Sequence, residues 1–365
     1  MKRDRVIDIC RGLAMIAVVL GHCGFPFTHE LYTFHVPIFF VISGYLYFLK
    51  VDSLKELGGR IFQKFKRLYI PFVLFSSLFV ITLNPSIKFF LYPTEDIINQ
   101  YPDIAHTSIY QTLDTNDLIY SLLKVFAFSG GTNLSGAMWF LRVLFFALLI
   151  FELEHYLFKR CRALIHLVTV CNVVFFIIGY WLCKHNISLP LGLDVVATVM
   201  IFLSLGEEVR QMLRNQNTEK LNLIVLIGAC IISCGTVFLC SKYEDVNIGV
   251  NQFNSPVVLL ISTLCGFIFV YSLSLLILRS KCSRIFELVG KHTIAILGWH
   301  FLAFKVVNVF VAYLKGLPVQ YISSFPTIAG ACWIYYAAAG IILPLFIVSI
   351  YSFVRNKTEL CQKSH

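Results

Sequence analysis

Charge is scarce in this sequence. Only 14% of its 365 residues are Asp, Glu, Lys or Arg, and just 20 are acidic. A water-soluble domain carries about 25% charged residues. A chain with so few, with 58% hydrophobic residues and a mean hydropathy of +0.77, is excluded from that class, and its solvent is mostly lipid. The 12 cysteines include no C-x-x-C pair and no metal-type spacing with histidine, which removes a metal or disulfide framework from expectation. Most of them lie in apolar stretches and read as small packing residues. No tandem repeat, low-complexity tract or shift of composition marks a soluble domain, so residues 1–365 read as one membrane-embedded domain. The first apolar run is followed by "GHCGFPF" rather than a small-x-small cleavage site, so it reads as a permanent helix and not as a removed signal.

Long apolar runs are abundant. About 20 residues cross the hydrocarbon layer, and segments of roughly that length recur at 8–24, 31–49, 68–91, 137–158, 164–183, 190–209, 221–241, 256–278, 293–314 and 328–354. The expected fold is all-α, a polytopic integral membrane protein of about ten transmembrane helices. The net charge of +10 follows from topology. With the N-terminus cytoplasmic, 22 of the 30 basic residues fall in inside segments: the two tails, 50–67, 159–162, 210–220 and 279–291. Only four fall outside, and Arg11, Lys88, Arg142 and Lys305 lie within spans. This asymmetry matches the positive-inside rule. It puts both termini in the cytoplasm of a multi-pass protein of the cell membrane, and it explains the basic excess without nucleic acid.

Two connections carry more than topology. The external segment 92–136 holds five acidic residues and Tyr92, Tyr101, Tyr110 and Tyr120, a composition that suits either sugar binding or an interfacial loop. The internal segment 50–67, "KVDSLKELGGRIFQKFKR", is basic and amphipathic. It suits a segment lying on anionic lipid and equally a phosphate-attracting rim.

The first helix contains "RGLAMIAVVLGH", with Arg11 and His22 at its ends. Ionisable groups inside a span are costly and rare. Eleven residues are three turns plus about 20°, so both side chains project from one face, about 16 Å apart along the axis. Asp8, three residues before Arg11, is placed to pair with it. Taken singly, Arg11 reads as a snorkelling cation and His22 as an interfacial imidazole. Further polar groups near the outer ends of other spans change that weighting. His35 enters the second helix in "FHVPIFFVISGY", which also carries Ser43. Trp139 and Arg142 enter the fourth in "MWFLRVLF", and His300 lies in "ILGWHFL". Cations and imidazoles converging from several helices predict a wet, anion-tolerant cavity.

These residues resemble a known family. "RVIDICRGLAMIAVVLGH", "FHVPIFFVISGYLYF" and "KFKRLYIPF" are similar to the acyltransferase-3 family of integral membrane O-acyltransferases, nearest to its fucose 4-O-acetylase-like and polysaccharide O-acetyltransferase branch. "AMWFLRVLF" and "VGKHTIAILGWHF" fall where that family has its Trp-Phe-Leu motif and its late helix with a His. The sequence departs from the pattern in the "GW" before His300 and in Arg142 after "WFL". The resemblance implies transfer of an acyl group, usually acetyl, from cytoplasmic acyl-CoA to a hydroxyl of a glycan or lipid-linked saccharide. It implies acyl-CoA as co-substrate rather than a resident cofactor, and Arg11 and His22 as the essential pair.

On that reading Arg11 grips donor phosphates at the inner mouth, since a guanidinium never deprotonates and binds phosphate bidentately. His22 serves either as general base or as nucleophile through an acyl-histidine. Arg142 or His35 is placed for the oxyanion. The rival is a transporter or flippase for a saccharide or anionic solute. It would use the same cavity, but the internal repeats and paired interrupted helices of many transporters are absent from the sequence.

Overall fold

The computed structural model describes residues 4–48, 53–159, 164–214 and 218–363. Fifteen α-helices follow in chain order: α1 Arg5–Gly21, α2 Thr28–Tyr32, α3 Pro37–Tyr45, α4 Leu54–Ile81, α5 Leu83–Lys88, α6 Glu95–Gln100, α7 Thr115–Phe126, α8 Trp139–Phe158, α9 Leu164–Lys184, α10 Leu193–Leu213, α11 Leu223–Ser241, α12 Pro256–Leu278, α13 Ser283–Lys291, α14 Thr293–Lys315 and α15 Trp333–Lys363. There is no β-strand among the described residues, only an isolated bridge between Asn247 and Gln252. The all-α expectation holds.

Seven helical stretches among the described residues are long and apolar enough to cross a membrane: Asn133–Phe158, His166–Lys184, Pro190–Leu213, Leu223–Ser241, Pro256–Leu278, Thr293–Lys315 and Trp333–Arg355. They coincide with the last seven expected spans. The first three expected spans fall on α1, on α2 and α3, and on α4 and α5. At 17 residues, α1 is about 26 Å long. The second stretch is broken before Pro37, which opens the nine-residue α3 from the first-turn position where its missing N–H costs nothing. The 28 residues of α4 run straight from the basic segment into the apolar one, so residues 54–67 are helix rather than loop. The basic connection 159–162 and both chain ends fall largely outside the described residues.

Among these helices α1 holds the central place. Asp4 caps its first turn, accepting from the backbone N–H groups of Val6 and Ile7 at 3.0 and 3.2 Å, as an N-cap aspartate does. It then packs against α2, α3, α12, α13, α14 and α15. Twelve of its 17 residues are buried, so its neighbours are protein on nearly every side and Arg11 is not on a lipid-facing surface. Small residues set the closest crossings, as is usual between membrane helices. A Cβ on Gly12 would stand 2.3 Å from the Phe286 carbonyl oxygen, and one on Gly290 only 1.8 Å from that of Asp8. This contact buries Asp8 and brings the end of α13 beside Arg11. Gly44 and Gly206 do the same for α3 and α10, where a Cβ on either would stand 1.9 Å from a facing carbonyl oxygen.

Segment 92–136 is folded, containing α6, α7 and a 3-10 turn at Asn133–Met138. Two of its tyrosines are structural. Tyr92 is buried, with its hydroxyl 2.8 Å from that of Thr132, and Tyr110 accepts from the Asn133 N–H at 2.7 Å. Burial pushes the Tyr110 phenol up to about 12. These two rings pack on each other at 4.7 Å. Tyr101 packs on Tyr321, whose hydroxyl donates to Asp103 at 2.7 Å. That bond to a carboxylate raises the Tyr321 pKa and ties the segment to the α14–α15 connection.

Lys305, unexplained by the sequence, holds that connection from beneath. Its buried ammonium donates to the carbonyl oxygens of Ile322, Ser323 and Ser324 at 3.2, 2.9 and 2.8 Å. Asn308 also bonds the first and last of these, so Lys305→Met leaves only the Ser323 carbonyl without a partner. An orphaned buried acceptor costs about 1–3 kcal/mol. The variant is expected to unfold at a lower temperature in detergent by that margin, read by tryptophan fluorescence. An unchanged midpoint would show that the cage contributes nothing to stability.

Candidate active site

Two cavities lie along α1, one at each end of the Arg11–His22 face. The inner one has a volume of about 900 Å³. Arg11 lines it together with Arg60, Lys64, Arg67, Lys291 and His292. Three of these cations come from α4 at i, i+4 and i+7, a spacing that puts them on one helix face. Pro71, within the same helix and on the same cavity wall, cannot donate to the Arg67 carbonyl four residues back. Lys291 and His292 sit at the junction of α13 and α14, next to the Gly12–Gly290 crossing.

Behind this wall Glu152 is fully buried. Its Oε1 accepts from Arg60 Nε and Nη2 at 3.0 and 2.7 Å and from the Lys64 ammonium, while Oε2 accepts from the Tyr47 hydroxyl at 3.0 Å. One carboxylate thus holds two cations at the cavity wall, and the lining keeps a strong positive excess. Such a site suits a polyanion with an apolar extension, because Phe39, Phe140 and several leucines complete the wall.

The outer pocket is small, about 80 Å³, the space of two or three waters at roughly 30 Å³ each. His22 lines it as the residue that ends α1, half-buried where the helix stops. Its Nδ1 is 3.3 Å from the Tyr32 hydroxyl, and its ring stacks on His300 at 5.7 Å and 25°. His35 and Trp139 also line this pocket, with His35 packed on Tyr32 at 4.8 Å.

The hydrogen bonds of the two flanking imidazoles fix their tautomers. His35 Nδ1 lies 2.7 Å from the Leu31 carbonyl oxygen. His300 Nδ1 lies 3.1 and 3.0 Å from those of Ile296 and Leu297. A carbonyl only accepts, so each Nδ1 carries the proton and each neutral ring offers Nε2 as an acceptor. His300 Nε2 is buried with no partner among the described residues.

The sequence-derived candidates therefore divide. His22, His35 and Trp139 line the outer pocket, and His300 stacks behind His22. Arg11 and Ser43 line the inner cavity, the Ser43 hydroxyl donating to the Phe39 carbonyl at 2.7 Å. Asp8 is buried against α13 and lines neither cavity. Arg142 lines neither as well, its Nη1 donating to the Phe128 carbonyl at 3.3 Å on the far side of α8. The structure thus sets Arg142 apart from the lining of both cavities and holds His35 Nδ1 against the Leu31 carbonyl.

Two pocket elements escaped the sequence reading. Tyr32 stands ten residues from His22 in an unremarkable stretch. Asn247, Ile248 and Gly249 come from the α11–α12 connection and have no helical periodicity to flag them. That connection is closed by backbone bonds between Asn247 and Gln252 at 2.8 and 3.0 Å, and it is pinned to α9 and α10 by buried Asn251. Gly249 is needed for the close approach to Trp139, whose ring would stand 3.2 Å from a Cβ there. No group of His, Cys, Asp and Glu able to hold a metal occurs among the described residues, and the ten described cysteines are unpaired.

A cationic chamber and a histidine-lined pocket thus lie along one helix of a membrane protein. The family model described as "Acyltransferase domain" matches residues 4–337, and the chain belongs to that acyltransferase-3 family. No curated protein and no solved structure matches the chain significantly. The match covers every residue that lines either cavity.

Proposed function

We propose that the protein is a membrane O-acetyltransferase that carries an acetyl group from cytoplasmic acetyl-CoA to a hydroxyl of a cell-surface glycan or lipid-linked saccharide. The observation that carries this reading is the pair of abutting cavities, cationic at the Arg11 end and imidazole-lined at the His22 end. Coenzyme A is a polyphosphate head on a long thin arm, and five cations around a chamber of about 900 Å³ suit the head. Guanidiniums suit phosphate in particular through their planar fork. The outer pocket, about 80 Å³, suits the three heavy atoms of an acetyl group and no long acyl chain. Both termini lie in the cytoplasm on this reading, so the inner cavity opens toward the acyl-CoA pool.

In the reaction His22 acts as general base. Its Nδ1–H donates to the Tyr32 oxygen, which leaves the Nε2 lone pair for the acceptor hydroxyl. As the sugar oxygen bonds to the thioester carbonyl carbon, His22 takes the hydroxyl proton. Collapse of the tetrahedral intermediate breaks the C–S bond, and the departing thiolate takes that proton from His22 to leave as CoA thiol. Trp139 offers an aromatic face at the pocket for a sugar ring, and Asn247 an amide for a neighbouring hydroxyl. Family membership favours this reading over a transporter.

The test uses membrane vesicles from cells with and without the gene, supplied with radiolabelled acetyl-CoA on the cytoplasmic face. Label is expected in a saccharide fraction only when the protein is present, and the ester is expected to be released by mild alkali. Equal labelling in both preparations would overturn the proposed reaction.

A further inference from the structure

Four side chains, Met15, Phe39, Phe140 and Leu297, line both the inner cavity and the outer pocket. They are therefore the wall between the two. Their placement follows one rule on three separate helices. On α1, Met15 stands one turn outward of Arg11 and two turns inward of His22. On α3, Phe39 stands one turn inward of His35 and one turn outward of Ser43. On α14, Leu297 stands one turn outward of Thr293 and one turn short of His300. In each case a polar group faces the inner cavity, an apolar side chain fills the wall, and a histidine lies beyond it. Phe140 closes the fourth side from α8, its ring edge-on to Phe39 at 5.5 Å.

None of the four side chains has a group that bonds water or an ion strongly. A polar group crossing this wall loses its hydration without compensation, at several kcal/mol. The nucleotide and phosphates of the donor are thus held on the inner side, whereas methylene groups pass without that penalty. Met15 and Leu297 are nearly fully buried, so the passage opens by rotamer changes of flexible side chains and not by a vacant channel. Methionine, unbranched and with three rotatable bonds, suits that task.

We propose that Met15, Phe39, Phe140 and Leu297 form a selectivity gate for the acyl donor. They part to admit a thin, unbranched acyl-pantetheine arm from the inner cavity to His22, and they exclude branched acyl groups. The inference rests on the inner cavity being the donor chamber. The gate is shut when the donor is absent, which keeps two polar compartments from becoming a continuous leak through the membrane.

The experiment separates the gate from the chamber by measuring binding and transfer independently. Wild type, Leu297→Trp and Met15→Ala are purified in detergent and titrated with CoA by calorimetry. The same variants in membrane vesicles bearing their native acceptor are assayed with radiolabelled acetyl-CoA and isobutyryl-CoA. Leu297→Trp, which blocks the gate, is expected to lose at least 100-fold in acetyl transfer while CoA binding, carried by the cations around the phosphates, weakens about tenfold at most. Met15→Ala, a truncation that widens the gate, is expected to raise the isobutyryl-to-acetyl ratio at least tenfold. Should Leu297→Trp fail to fold, Met15→Ala decides alone. Full acetyl transfer by folded Leu297→Trp, or an unchanged donor ratio in Met15→Ala, overturns the gate. Failure of wild type to bind CoA overturns the donor-chamber reading beneath it.

Discussion

Replacing His22 with alanine is expected to lower acyl transfer by about 10²- to 10⁴-fold, the usual loss on removing a general base, with the protein still inserted and abundant. His300 is fully buried and lines neither cavity. The fold tolerates the change because His22 is the half-buried C-cap that follows α1 and not part of its packed length. Donor binding in the inner cavity is expected to stay at the wild-type value, since His22 lines only the outer pocket. Transfer measured in vesicles and CoA binding measured on the purified protein check the two halves separately. Near-normal acetylation by a well-expressed His22→Ala variant would remove His22 from the chemistry.

The division of the site between two ends of one helix was legible because helical geometry is local. Eleven residues return to one face whatever surrounds them, and the structure sets Arg11 on one cavity and His22 on the other. The reach of other helices was less legible. His35 and His300 announced themselves as polar groups in apolar runs, and both stand beside His22. Arg142 announced itself in the same way and is turned to Phe128, because which face of α8 lines the cavities is decided by packing and not by residue type. Tyr32 and Asn247 gave no signal, since a tyrosine near a membrane surface and an asparagine in a turn are ordinary.

For the fold, hydropathy found the seven long apolar helical stretches and missed the character of the first three elements. It looks for lipid-facing length, and α1 is enclosed by six other helices. A helix whose solvent is protein can be short and can carry an arginine. For the tyrosines of 92–136 composition left a sugar-binding and an interfacial reading open, and the structure shows Tyr92 and Tyr110 spending their hydroxyls on Thr132 and Asn133 within the folded segment.

Arg11 supplies the sharper test of the donor chamber, because the cations around it are not equivalent as probes. Arg60 and Lys64 both bond fully buried Glu152. Truncating either leaves a buried carboxylate undercompensated, a loss of several kcal/mol that would mix folding with binding. Arg11 lines the cavity from the central helix. A charge-assisted contact to phosphate contributes about 1.5–3 kcal/mol, so Arg11→Ala is expected to raise the CoA dissociation constant about 10- to 150-fold. Arg11→Lys keeps the charge and loses the fork, and its constant should fall between the other two. Arg67→Ala, on the opposite wall of the same cavity, should weaken CoA in the same direction, whereas His22→Ala should not. Calorimetric titration of the purified variants decides. If Arg11→Ala binds CoA as wild type does, the phosphates are held elsewhere, and the cationic face of α4 becomes the place where the donor must dock.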